Sequence, residues 1–196
     1  MKRIAVFCGS STGTDDKYTV AAKSLGLALV KNGLGLVFGG GMIGLMGVIA
    51  SSMLEIGGEV IGVIPEALYK KQLALPGLSE LRIVGSMHER KAVIADLSDG
   101  FIAMPGGLGT IEEIFEVLTW SQLDIHTKPC GFLNVLDYFK HLVFFLDHMS
   151  DQNFIDKKHR SMIIMDENPD VLLSKIKSYT HPEVDKSVWA LNMLKK

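Results

Sequence analysis

Short apolar runs recur along this chain, each ending at glycine or proline and each followed by a longer stretch with helical spacing. No other feature restricts its folding as much. A run that is apolar throughout and too short for a helix reads as a strand buried on both faces, and such a strand needs helices above and below it. The runs lie at 3 to 8, 34 to 39, 59 to 64, 80 to 84, 100 to 104, 130 to 134 and 161 to 165. Helical patterns occupy 16 to 32, 43 to 56, 86 to 98, 109 to 123, 135 to 149 and 168 to 178. This alternation predicts repeated βαβ units. Right-handed crossovers then place helices on both faces, giving an α/β fold with a doubly wound, Rossmann-like parallel sheet and a ligand crevice beyond the carboxyl ends of the strands. With 196 residues, 47% of them hydrophobic, the chain suits a single domain over 1 to 196. Only Pro65 to Ser79, with Pro65, Pro76 and Gly77, fits neither pattern, and it is expected to form a loop over the crevice.

Charge and composition exclude several classes. Twenty basic against twenty-two acidic residues give a net charge of -2, and basic residues form no run beyond pairs such as Lys70-Lys71. A nucleic-acid footprint is therefore missing, while free nucleotides stay open as ligands. Lys2-Arg3 followed by Ile4 to Cys8 resembles the start of a signal peptide, but Gly9 and the polar residues after it cut the apolar run short. No stretch is long enough to span a membrane, so a cytoplasmic location is expected. Cys8 and Cys130 suit two reduced core thiols. No metal is expected. His88-Glu89 lacks the second histidine of a zincin helix, and His126, His141, His148, His159 and His181 form no ligand pattern, Asp137 and His141 reading as an exposed helical pair. A Gly-x-Ser-x-Gly elbow and a Walker lysine are also absent.

Three glycine-bearing loops fall at the expected crevice. Met104-Pro105-Gly106-Gly107-Leu108-Gly109-Thr110-Ile111-Glu112-Glu113 joins a strand to a helix. Gly106, Gly107 and Gly109 are expected to take backbone angles closed to other residues, so that successive N–H groups converge on an anion at the positive end of the helix. Glu112 and Glu113 would then stand beside whatever the phosphate carries, as a base or as a stabiliser of developing positive charge. A plainer role for both is favourable charge in a first helical turn, worth about 0.3 to 1 kcal/mol each. Phe38 to Gly47 places Gly39, Gly41 and Gly44 at dinucleotide-fingerprint spacing, with Glu59 at a tolerable distance for a ribose contact, although the cluster follows the second strand. Close helix packing would also explain these glycines. Cys8 to Gly13 supplies small hydroxyl residues, Ser10 among them, and Thr14 or Asp15 suits a helix cap behind it.

Arg90 lies on the same helical stripe as Val93, Ile94 and Leu97, so a charge points where apolar residues point. A buried guanidinium needs an anionic partner, and Glu113 or a bound phosphate would serve, unless Arg90 sits in a solvated first turn. Lys91 reads as exposed or phosphate-directed. On the helix from 109, Ile111, Ile114, Phe115 and Leu118 form a core stripe and Glu113, Val117 and Trp120 a second one. Cover by a partner subunit would place Glu113 near a dimer interface.

Phe38 to Gly47, Met87 to Lys91 and Pro105 to Glu113 together resemble the Lonely Guy family of cytokinin riboside 5'-monophosphate phosphoribohydrolases, over about the first 150 residues. The resemblance implies a hydrolase that cleaves the N-glycosidic bond of an adenosine 5'-monophosphate, N6-modified or plain, without a cofactor. It implies Arg90 and Glu113 as catalytic residues at a dimer-associated site, in a homodimer or higher oligomer. It implies Met87, Lys91, Gly106, Gly107, Leu108, Gly109, Thr110, Glu112, Thr119, Gly40, Gly41 and Ser10 as substrate contacts. The label lysine decarboxylase, often attached to such chains, finds no pyridoxal-phosphate lysine site here. Two positions depart from the family: Phe38 stands where many relatives have Tyr, and Gln72 where they usually carry a substrate-contacting Glu. A non-hydrolytic nucleotide carrier or sensor, and an NAD-linked oxidoreductase, are the rival readings of the same glycine loops.

Overall fold

The computed structural model describes residues 1–183. Residues 184–196, the end of the domain expected over 1 to 196, lie outside the described residues. Seven strands form one sheet: β1 (Arg3–Phe7), β2 (Gly35–Phe38), β3 (Val60–Pro65), β4 (Glu80–Val84), β5 (Gly100–Ala103), β6 (Cys130–Leu133) and β7 (Ile163–Asp166). Their order is β4-β3-β2-β1-β5-β6-β7, and every neighbouring pair is parallel. The order reverses between β1 and β5, so the topological switch point lies between the loops that leave those two strands.

Alternation along the strands feeds two cores. Ile4, Val6, Leu36, Phe38 and Ile102 pack with α1 (Asp16–Lys31), α2 (Gly44–Leu54) and α8 (Pro169–Lys177). Ala5, Phe7, Val37, Phe101 and Phe132 pack on the other face with α4 (Met87–Leu97), α5 (Leu108–Gln122) and α6 (Lys140–Asp151). Fully buried side chains such as Phe38 and Phe101 each contribute about 1.5–3 kcal/mol of hydrophobic stabilisation.

Side-chain caps set where several helices begin. Asp15 accepts from the Lys17 N–H at 2.9 Å ahead of α1. Ser86 caps α4, its Oγ accepting from the Glu89 N–H, and Glu89 Oε2 reaches back to accept from the Gly85 N–H at 2.7 Å, one residue beyond the N-cap that a capping box would use. These bonds hold the first turn of α4, where Arg90 sits. Cys8 and Cys130 are buried free thiols, and burial pushes both well above the ordinary thiol range. No helix among the described residues is long and apolar enough to cross a membrane.

Three expectations need correction. The helix expected over 135 to 149 starts only at Lys140, because Leu136 and Asp137 take left-handed backbone at φ +53° and +56° within a short turn at Val135–Asp137. Asn134 explains the delay: its Oδ1 accepts from the Phe139 N–H at 2.9 Å and its Nδ2 donates to Asp137 Oδ1 at 3.1 Å, competing with helical bonds. Asp137 therefore pairs with Asn134 outside α6 and forms no helical pair with His141. Finally, the excursion from Pro65 to Ser79 contains a short helix, α3 (Glu66–Tyr69), and another short helix, α7 (Lys157–Ser161), precedes β7.

Candidate active site

The three glycine loops meet at the switch point. The Gly9 N–H donates to the Pro105 carbonyl and the Leu45 N–H to the Gly9 carbonyl, both at 3.0 Å, which ties the loops after β1, β2 and β5 together. Between them lies a cavity of about 310 Å³, lined by Gly9 to Gly13, Tyr18, Leu45, Pro105 to Gly107 and Tyr138. The loop after α3 closes on the second glycine cluster, the Met42 N–H donating to the Leu73 carbonyl at 3.0 Å and the Leu75 N–H to the Gly40 carbonyl at 2.9 Å. Gln72, in left-handed backbone at φ +58°, immediately precedes this contact.

The glycines act mainly by leaving room. Gly106, Gly107 and Gly109 do not use the left-handed backbone open to glycine. A Cβ on Gly106 would fall 2.2 Å from Thr110 Oγ1 and 2.7 Å from Gly9 N, so absence of a side chain is what lets the loops touch. Gly107 and Gly109 face open space, which leaves the start of α5 accessible to a ligand. Gly107 is the N-cap of α5 and no side chain caps that end, so its first N–H groups retain the partial positive charge that favours an anion. Left-handed backbone is required instead at Gly44, with φ +65° and a would-be Cβ 2.3 Å from the Ser10 carbonyl carbon.

Beside this cradle lies a largely buried ion pair. Arg90 Nη1 sits 3.2 Å from Glu113 Oε1, with side-chain exposures of 12% and 14%. Arg90 Nε donates to the Val63 carbonyl at 3.2 Å, and Nη1 faces Met87 Sδ at 3.2 Å. A Cβ on Gly39 would lie 1.9 Å from Arg90 Nη2, so the end of β2 must be glycine for the guanidinium to occupy this place. Burial pushes the Glu113 carboxyl above the ordinary carboxylate range, and Arg90 opposes that rise. A carboxylate held in a poorly solvated site acts strongly on a nearby cationic centre.

Other expected site residues divide. Ser10, Gly106 and Gly107 line the cavity. Leu108 is 90% exposed at the first position of α5, and Met87 is half exposed above Arg90. Gly40 and Gly41 hold the covering loop, with an isolated bridge from Gly41 to Ala74. Lys91 is neither exposed nor aimed at the cavity: it pairs with Glu112 at 2.5 Å and Glu116 at 2.9 Å, because α4 and α5 place three charges together. Glu112, its carboxylate thus engaged, is separated from Glu113, which turns toward Arg90. Thr110 is buried against Gly106. Thr119 donates to the Phe115 carbonyl at 2.7 Å and faces a second cavity of about 180 Å³, lined with Leu146, Met149, Ile155 and Met162. In the second stripe of α5, Val117 is buried in this chain's own core. Glu59 lies at the opposite edge of the sheet, ahead of β3, and pairs with Arg3 at 2.9 Å, which removes the ribose contact expected of a dinucleotide site.

A family profile described as "Possible lysine decarboxylase" matches residues 46–176. A cytokinin riboside 5'-monophosphate phosphoribohydrolase of Arabidopsis thaliana is 43% identical over 196 residues, covering 98% of this chain and 92% of the relative. One from Rhodococcoides fascians is 44% identical over 178 residues, covering 90% of each chain. This chain belongs to the Lonely Guy family. The Lonely Guy fold is shared more widely. A molybdenum cofactor binding protein from Rippkaea orientalis superposes with a TM-score of 0.69 at 20% identity, covering 90% of this chain and 96% of that one. The molybdenum cofactor carrier protein of Chlamydomonas reinhardtii gives 0.65 at 19%, covering 91% and 99%. At such identities the likeness concerns the fold alone.

The decarboxylase label on the Lonely Guy profile fits these residues poorly at Lys91. Two carboxylates raise its pKa, Glu112 foremost, whereas a Schiff-base lysine needs a lowered one. Sequence reasoning missed Tyr18 and Tyr138, which line the cavity, and the dependence of Arg90 on Gly39. Tyr138 carried one legible signal, its place just beyond the carboxyl end of an apolar strand, where crevice residues gather.

Proposed function

We propose that this chain is a nucleoside 5'-monophosphate phosphoribohydrolase. It hydrolyses the N-glycosidic bond of an adenosine 5'-monophosphate, N6-modified or plain, and releases the free base and ribose 5-phosphate, as relatives named for cytokinin riboside 5'-monophosphate support. The observation that carries this reading is the largely buried Arg90–Glu113 pair beside an anion-favouring helix start. Arg90 and Glu113 are the catalytic pair, and Ser10, Gly106 and Gly107 form the phosphate cradle.

In this mechanism the bond between C1' and the base breaks with its electron pair moving to the base, and positive charge spreads over C1' and the ring oxygen. Water adds its oxygen to C1', and its proton balances the charge on the departing base. Glu113 stabilises the cationic centre or orients and deprotonates the water, as carboxylates do in glycoside hydrolysis. Arg90 holds Glu113 in place and limits the rise in its pKa. Glycine N–H groups anchor the phosphate so that C1' meets Glu113. The protein works as a cytoplasmic homodimer or higher oligomer of single-domain subunits, with neither nucleic acid nor membrane as a partner.

The deciding experiment incubates the purified protein with AMP and isopentenyl-AMP and follows free base and ribose 5-phosphate by chromatography, with Glu113→Gln and Arg90→Ala as controls. Base release that both substitutions abolish establishes the activity, and the ratio between substrates ranks N6-modified against plain adenine. Retained nucleotide binding without release would replace the hydrolase reading by a carrier or sensor.

A further inference from the structure

The connection from β6 to α6 is built against local preference. Leu136 and Asp137 are consecutive non-glycine residues in left-handed backbone, the only adjacent pair of this kind among the described residues. Left-handed backbone is disfavoured for residues with a side chain, and it persists only where surrounding contacts over-determine it. The contacts are present: Asn134, only 8% exposed, holds the turn through the Phe139 N–H and the Asp137 carboxylate.

The turn delivers Tyr138 to the cavity wall. Its hydroxyl donates to the Gly106 carbonyl at 2.7 Å, and its ring stands edge-on to Tyr18 at 6.0 Å and to Phe139 at 5.1 Å. The Gly106 carbonyl and the Gly107 N–H belong to one peptide plane, and in a trans peptide they point in opposite directions. Holding the carbonyl therefore fixes the direction of the N–H, and a hydrogen bond at one end of a peptide strengthens the donor at the other. Gly106 and Gly107 have no side chains with which to lock that plane themselves. Both line the cavity with Tyr138.

We propose that Tyr138 is a positioning residue for the phosphate cradle: it orients and polarises the Gly106–Gly107 peptide so that the Gly107 N–H receives the 5'-phosphate of the substrate. This inference rests on the phosphoribohydrolase reading above. It predicts a defect confined to the phosphate end of the ligand. Tyr138→Phe keeps the ring and its edge-on contacts and removes one hydrogen bond, so KM for AMP rises about 3- to 10-fold with kcat within about 2-fold. Competitive inhibition by ribose 5-phosphate weakens by the same factor, and inhibition by adenine does not change. A second variant, Leu136→Gly, relieves the turn while keeping the hydroxyl, and its KM stays at the wild-type value.

Equal weakening of adenine and ribose 5-phosphate, an unchanged KM, or a fall in kcat alone in Tyr138→Phe would overturn the assignment while leaving the hydrolase reading intact. A wild-type protein that cleaves neither AMP nor isopentenyl-AMP and does not bind ribose 5-phosphate would overturn both.

Discussion

Gly39→Ala adds one methyl group outside the lining of the phosphate cradle and should nevertheless disable the enzyme. The new Cβ would lie 1.9 Å from Arg90 Nη2, where contact needs about 3.5 Å, so the guanidinium must retreat by roughly 1.5 Å. Gly39 is not in left-handed backbone, and the atom displaced is the far end of a flexible side chain. The backbone can therefore stay in place, and stability should fall by about 1–3 kcal/mol, chiefly from the weakened Arg90–Glu113 pair. A retreat of that size breaks the 3.2 Å contact with Glu113, and misplacement of a catalytic group by about 1 Å can cost 10²-fold in rate. The expectation is a loss in kcat/KM for base release of about 10²-fold, or about 2.7 kcal/mol of barrier. Glu113, deprived of the charge that restrains its pKa, should also shift the acid limb of the kcat/KM profile to higher pH. Steady-state kinetics from acid to neutral pH, with thermal unfolding alongside, measure all three quantities. A variant with wild-type kcat/KM and an unmoved acid limb would refute the link between Gly39, Arg90 and catalysis.

Other substitutions probe separate links. Lys91→Met leaves Glu112 and Glu116 without their shared partner and should cost about 1.5–3 kcal/mol in denaturant melts at neutral pH. Because the Lys91 pKa is raised in the fold, that contribution is complete at neutral pH and disappears only as pH climbs past the ordinary lysine range; a difference from wild type that persists there would contradict the pairing. Gly44→Ala forces a side chain into left-handed backbone and into the Ser10 carbonyl, and should lower stability by about 2–4 kcal/mol. Gly107→Ala meets open space, so its melting temperature should match wild type while KM for AMP rises; the reverse order of stabilities would show that the two glycines had been assigned the wrong roles. Glu59→Gln breaks only a half-exposed pair with Arg3, so it should cost less than about 1 kcal/mol and leave turnover unchanged. Lost activity there would restore Glu59 to the ligand site.

Much of the architecture was legible because a parallel sheet writes itself locally. Strands buried on both faces must be apolar throughout, and the runs at 59 to 64 and 100 to 104 coincide with β3 and β5 to within a residue. The stretch after β6 misled because Leu136 and Asp137 continue a helical pattern, while the bonds from Asn134 that override it are side-chain geometry. Lys91 misled for a related reason. Its spacing placed it beside Arg90, but Glu112 and Glu116, on a helix more than twenty residues away, decided where its charge went.

The amino-acid sequence by itself determined the layered α/β fold, the three glycine loops at one edge of the sheet, and the presence of an arginine that needed a buried acid, since each follows from periodicity, backbone freedom or the cost of an unpaired charge. Only the tertiary structure decided that Gly39 makes room for that arginine, that Gly106 is small for Gly9 and Thr110 rather than for its own backbone angles, and that Tyr138 reaches the Gly106 carbonyl. Apart from the Gly106–Thr110 approach, these are contacts between segments far apart in the chain, and their distances are set by how the loops pack, which no local pattern records.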